Sequence, residues 1–108
     1  MVKKRIPEKI KKHIKEYIKL LKTDNLPIQH IFLFGSYAKG KQHKWSDIDL
    51  CIISSKFNDP WEAMQYLWRK RIFDKNITIE PIGFNPKDFK EETSLTHEIK
   101  QTGIEIKI

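Results

Sequence analysis

Apolar residues in the first quarter of the chain recur in steps of three and four. Ile6, Ile10, Ile14, Tyr17, Ile18 and Leu21 make one stripe, with lysines around the rest of the turn. That period predicts an amphipathic helix from about Pro7 to Lys22, with Pro7 at N1 and a stop at Asp24, Asn25 and Pro27. Two unbroken apolar runs follow, 28–34 (IQHIFLF) and 47–54 (DIDLCIIS), and both read as buried strands. The segment between them, GSYAKGKQHKWS, supplies a turn and a short helical piece. Asp59-Pro60 predicts a helix start, with Asp59 as N-cap and Pro60 at N1. In that helix Trp61, Met64, Leu67, Trp68 and Ile72 are spaced to face the core, and Arg69, Lys70 and Arg71 sit in the last turn, where cations suit the dipole.

Residues 76–84 (NITIEPIGF) read as a third strand. Pro81 cannot donate to a ladder, which places this strand at a sheet edge or ends it there. Asn85-Pro86 reads as a turn, with Phe89 packing back on the core. A last helix over Ser94–Thr102 ends at Gly103, and the alternating IEIKI reads as a short final strand or an interface segment. Strands alternating with helices predict an α/β (α+β) domain with a small mixed sheet flanked by helices. No repeat, low-complexity tract or linker divides the 108 residues, so we expect one domain over 1–108.

Charge changes this picture by its placement. The net charge is +7, and residues 1–22, with nine basic and two acidic side chains, carry all of the excess. Such a helix could attract nucleic-acid phosphates. A solvated polar face on a packed helix is the preferred reading, so nucleic acid is a possible partner but not the favoured one. No apolar run reaches the roughly 18–20 residues of a membrane span, and no apolar h-region follows the basic start. The single cysteine, Cys51, excludes an internal disulfide framework and a cysteine zinc site. A reduced, cytoplasmic chain with no membrane segment is the expectation. Cys51 reads as a buried small residue, and the four histidines show no metal-ligand spacing.

The chemistry lies between Gly35 and Asp49. Gly35-Ser36 follows a strand and opens a helical turn, where a close backbone approach, free N–H groups and a hydroxyl suit phosphate oxygens. Asp47 and Asp49 share one face of their strand and repel each other, while Ile48 and Leu50 point into the core. A divalent cation relieves such repulsion, and Mg²⁺ takes carboxylates together with substrate phosphates. Alone, either feature reads as an ordinary turn or a solvated strand end. Together they form G-S-x₁₀-D-x-D without a gap.

With this motif the chain resembles the nucleotidyltransferases of the DNA polymerase β superfamily, and most of all the minimal nucleotidyltransferase domains of bacteria and archaea. The likeness covers nearly all of residues 28–108. It takes in the strand before Gly35, Lys39-Gly40, Ser46 before Asp47 and the later I-x-I-E-P strand. It implies a nucleotidyltransferase fold whose catalytic core strands lie in 28–84, preceded by the basic helix of 1–24. It implies that Gly35, Ser36 and Lys39 bind the triphosphate and that Asp47 and Asp49 bind two Mg²⁺ ions. Glu80 is then the third carboxylate and metal ligand, taking or orienting the acceptor proton; the family often has aspartate there. Lys41, Lys44, Tyr37 and Trp45 read as solubility or packing residues.

The resemblance further implies transfer of a nucleoside monophosphate, AMP from ATP, onto an acceptor hydroxyl. Larger relatives carry an extra domain, whereas minimal members work with a separate protein, usually a helical HEPN-domain toxin that they neutralise as antitoxins. The alternative is a non-catalytic antitoxin that neutralises its partner by contact. The intact Gly35, Ser36, Asp47 and Asp49 favour the enzyme.

Overall fold

The computed structural model describes residues 6–42, 47–71 and 77–107. The expectations for Lys44, Trp45, Ser46, Ile72 and the first residue of the third strand, Asn76, lie outside these. The first helix, α1 (Glu8–Thr23), buries Ile10, Ile14, Tyr17, Ile18 and Leu21, as the stripe predicts. Pro7 stands one position earlier than expected, at the N-cap. Strand β1 (His30–Phe34) leads through Gly35 into a single turn, α2 (Ser36–Lys39), and β2 (Ile48–Ile53) follows. Helix α3 (Pro60–Arg69) starts as predicted, with the Asp59 carboxylate accepting from the Trp61 N–H. Next come β3 (Ile79–Phe84), α4 (Pro86–Lys90), α5 (Ser94–Thr102) and β4 (Ile104–Glu105). Among the described residues no helix is long and apolar enough to cross a membrane.

The sheet order is β3-β2-β1-β4. β2 runs antiparallel to β1 and parallel to β3, and β4 pairs antiparallel with the other side of β1. Alternation along β2 divides the core. Ile48, Leu50 and Ile52 join the apolar residues of α1 and α3 on one face. Cys51 and Ile53 join Ile99, Phe89 and Leu95 of the C-terminal helices on the other. The Tyr17 hydroxyl donates to the Leu67 carbonyl at 2.6 Å inside the first layer, which satisfies that buried group and ties α1 to α3.

Two expectations need correction. Asn85-Pro86 starts a helix, with the Asn85 side chain accepting from the Asp88 N–H and Pro86 in the first turn. In α3 only Ala63 and Leu67 are buried, while Trp61, Met64 and Trp68 are exposed. The reason is the position of β3 at the sheet edge. A helix lying over an edge strand covers it with a narrow stripe and overhangs the rest. Trp68 serves the edge, its indole N–H donating to the Pro81 carbonyl at 3.1 Å, and the Arg71 guanidinium stacks 3.9 Å above its ring. Arg71 also donates to the Ile79 carbonyl at 3.4 Å. Pro81 has no N–H to offer, so this edge is poorly suited to pairing with another strand.

Leu67→Ala is therefore expected to lower unfolding free energy by roughly 2–5 kcal/mol in a denaturant titration. Trp61→Ala, at 63% exposure, should stay within about 0.5 kcal/mol.

Candidate active site

The pairing register builds the site. Asp49 of β2 stands between Phe34 of β1 and Glu80 of β3. Asp47 immediately precedes β2 and is exposed, as is Glu80, whereas Asp49 is half-buried. Alternation puts the side chains of Asp49 and Cys51 on the face that α4 and α5 cover, opposite the α1 face. Cys51 is fully buried there, and burial pushes its thiol up to about 12, so it is no nucleophile at neutral pH.

Gly35 ends β1 with φ 75° and ψ −150°, a conformation open essentially to glycine alone. A Cβ at this position would lie 2.1 Å from Oδ2 of Asp49. The chain thus needs glycine twice here, for the turn and for the approach of backbone to carboxylate. Ser36 then opens α2, closed by the Lys39 N–H donating to the Gly35 carbonyl at 3.1 Å. Ala38 is fully buried and anchors this turn. Tyr37 packs partly buried against the core, and Lys41 is exposed.

Electrostatics mark the same cluster. The Asp49 carboxyl is pushed up to about 6, first by burial and then by the negative charges of Glu80, Asp47 and Glu98. Glu80 is also raised, by partial burial and by the charge of Asp47 and a hydrogen bond with it, while Arg71 pulls the other way. Among the described residues no three His, Cys, Asp or Glu side chains close into a ready metal cage. Mg²⁺ keeps several waters and is held by one or two carboxylates with substrate phosphates, so it requires no preformed cage. Hard, mutually repelling oxygen donors with raised proton affinity fit that ion.

Lys39 does not stand free at the mouth. Its ammonium donates to Oε1 of Glu98 at 2.7 Å, which ties α2 to α5. The capping box of α5 fixes the start of that helix: the Thr93 hydroxyl accepts from the Thr96 N–H at 3.1 Å, and Thr96 Oγ1 accepts from the Thr93 N–H at 3.0 Å. Glu98 is the member that sequence reasoning missed. Its only local signal was a place beside the core residues Leu95 and Ile99 on a predicted helix. Glu98→Ala is expected to lower the Asp49 pKa from about 6 toward the ordinary carboxylate range, because it removes one of the negative neighbours. A ¹³C-detected carboxyl titration by NMR checks this.

The Asp-x-Asp strand, the glycine–serine turn and the carboxylate opposite on the next parallel strand thus meet at one corner of the sheet. The chain belongs to the nucleotidyltransferase domain family, which it matches over residues 9–106. It is 48% identical over 54 residues to the protein adenylyltransferase MntA of Shewanella oneidensis, an alignment covering 46% of this chain and 38% of that protein. It is 40% identical over 63 residues to a protein of Methanocaldococcus jannaschii proposed to be an adenylyltransferase, covering 54% of this chain and 62% of that one. Both alignments span less than two thirds of the relative. Among solved structures, it superimposes on a chain of a toxin–antitoxin complex crystallised with AMP-PNP with a TM-score of 0.52 and 30% identity, over 84% of this chain and 69% of that one.

Proposed function

We propose that this chain transfers AMP from ATP onto a hydroxyl of a separate protein partner, a HEPN-domain toxin that it thereby neutralises as an antitoxin. The observation that carries this reading is one juxtaposition: Glu80 faces Asp49 across the β2–β3 pair while the Gly35 backbone lies against the Asp49 carboxylate. It brings the Gly35-Ser36 turn and the acids Asp47, Asp49 and Glu80 to one corner of the sheet. The relatives named adenylyltransferases and the toxin–antitoxin structure with AMP-PNP support the nucleotide and the partner class.

In this mechanism Gly35 and Ser36 receive the triphosphate, the serine with its hydroxyl and the first-turn N–H groups of α2. Lys39, held by Glu98, adds positive charge at the β- and γ-phosphates. Asp47, Asp49 and Glu80 would hold two Mg²⁺ ions, which when bound would offset the charge of the phosphates and of the leaving pyrophosphate. The acceptor oxygen bonds to the α-phosphorus. The bond from that phosphorus to the α–β bridging oxygen breaks, and pyrophosphate leaves. The acceptor proton passes to Glu80, which the strand register places beside Asp49. Positioning and charge neutralisation supply most of the rate.

The test incubates a HEPN-domain toxin with the chain, ATP and Mg²⁺, and reads intact mass. Addition of AMP units that disappears with Asp47→Ala is the expected result. An unchanged mass, with neutralisation surviving in Asp47→Ala, would instead establish the contact-only antitoxin.

A further inference from the structure

The two faces of the sheet carry different charged groups. The acids of the candidate site lie on the α5 side, and the exposed face of α1 lies on the other. On α1, Lys11, Lys15 and Lys19 follow one another at four-residue steps, about 6 Å of rise each, and Lys22 continues the row. Lys15 and Lys19 line two adjoining shallow depressions, and Lys22 and Lys107 complete the second of them. Like charges at this spacing each weaken a helix by a few tenths of a kcal/mol. Elsewhere Lys39, Lys70 and Lys100 each meet a carboxylate. On this face Lys11 does, with Glu8 at 3.6 Å. Glu16 shares the first depression and Lys107 lies near Glu105, but among the described residues Lys12, Lys15, Lys19 and Lys22 form no ion pair.

We propose that this face is a docking surface for the phosphate backbone of duplex DNA. Charge complementarity names the ligand class, and the composition of the face narrows it. Protein interfaces are depleted in lysine and enriched in aromatic, methionine and arginine side chains. The described face of α1 exposes none of the enriched types, its one aromatic, Tyr17, being fully buried. Single-strand binders stack bases on aromatics in a groove, and this face is the outer surface of a helix without one. Lysine ammonium groups engage phosphates rather than base edges. What remains is a row of ammonium groups along a ridge, suited to duplex phosphates and blind to base sequence. This surface is independent of the transfer activity proposed above.

The test measures binding of the full chain to a fluorescent DNA duplex by anisotropy from about 50 to about 200 mM salt, with folding checked by circular dichroism. Log K should fall linearly with log salt, with a slope of about −0.9 for each phosphate engaged. Lys15→Gln/Lys19→Gln should reduce the slope by about 1.8 and weaken binding roughly 10- to 100-fold at about 50 mM salt. Lys87→Gln/Lys90→Gln, which removes the same charge from the exposed side of α4, should leave both unchanged. The proposal is overturned if no binding occurs at about 50 mM salt, if both pairs of substitutions act alike, or if poly-L-glutamate displaces the duplex at equal charge concentration.

Discussion

Asp49→Asn is expected to lower nucleotide transfer by more than about 100-fold while making the ligand-free protein more stable at neutral pH. The first effect follows from the place of Asp49 in the register, between Gly35 and Glu80. Loss of a group that merely supports a metal ligand costs roughly 10–100-fold, so loss of a ligand itself should exceed that. The second effect follows from the sign of the pKa shift. The folded carboxyl titrates near 6, against about 3.9 in an unfolded chain. Between those values the folded state binds more protons than the unfolded one, so stability falls as pH rises through that window. Below pH 4 the group is neutral in both states, and asparagine and aspartate should give the same melting temperature. Above pH 6 the carboxylate is charged among Glu80, Asp47 and Glu98, and asparagine removes that repulsion. The gap in melting temperature should therefore open between pH 4 and 6 and stay open above. Adding Mg²⁺ with ATP should raise the melting temperature of the wild-type chain and leave the asparagine variant unmoved. An equal rise in both variants would remove Asp49 from the metal site.

Much of this was legible because the residues concerned act locally. The α1 stripe, the Asp59-Pro60 helix start and the edge position of β3 each follow from a few neighbouring side chains. Asn85-Pro86 carries the same N-cap and N1 pairing as Asp59-Pro60, and it reads as a turn only because the helix that follows is five residues long. The α3 face was less legible. Helical spacing marks Trp61, Met64 and Trp68 as apolar, but it does not reveal that their helix overhangs an edge strand. The site divides the same way. G-S-x₁₀-D-x-D is contiguous and names four residues, and strand alternation puts Glu80 on a suitable face. The ion pair of Lys39 with Glu98 spans 59 positions of sequence and depends on how α5 returns across the sheet. No period or motif encodes that return, so both the partner of Lys39 and the third negative charge near Asp49 emerge only from the packing.

Gly35→Ala should be the most damaging single-atom addition to this chain. Two separate penalties meet at that position. The φ of 75° with ψ of −150° costs a non-glycine residue about 1–3 kcal/mol wherever it occurs. The new methyl would also stand 2.1 Å from Oδ2, 3.0 Å from Cγ and 3.3 Å from Cβ of Asp49. Relief requires the carboxylate to rotate away or the turn into α2 to open, and either movement separates Asp49 from Ser36. Transfer activity should fall with stability, and it should stay low at temperatures where the variant is fully folded. A double-mutant cycle separates the two penalties. Asp49→Ala takes away the oxygen and Cγ in the methyl's path, so Gly35→Ala should cost at least about 0.5 kcal/mol less in the Asp49→Ala background than in the wild type. The dihedral penalty should persist in both backgrounds. If the two substitutions add without coupling, the backbone does not press on the carboxylate in solution, and the juxtaposition that supports the proposed chemistry is lost with it.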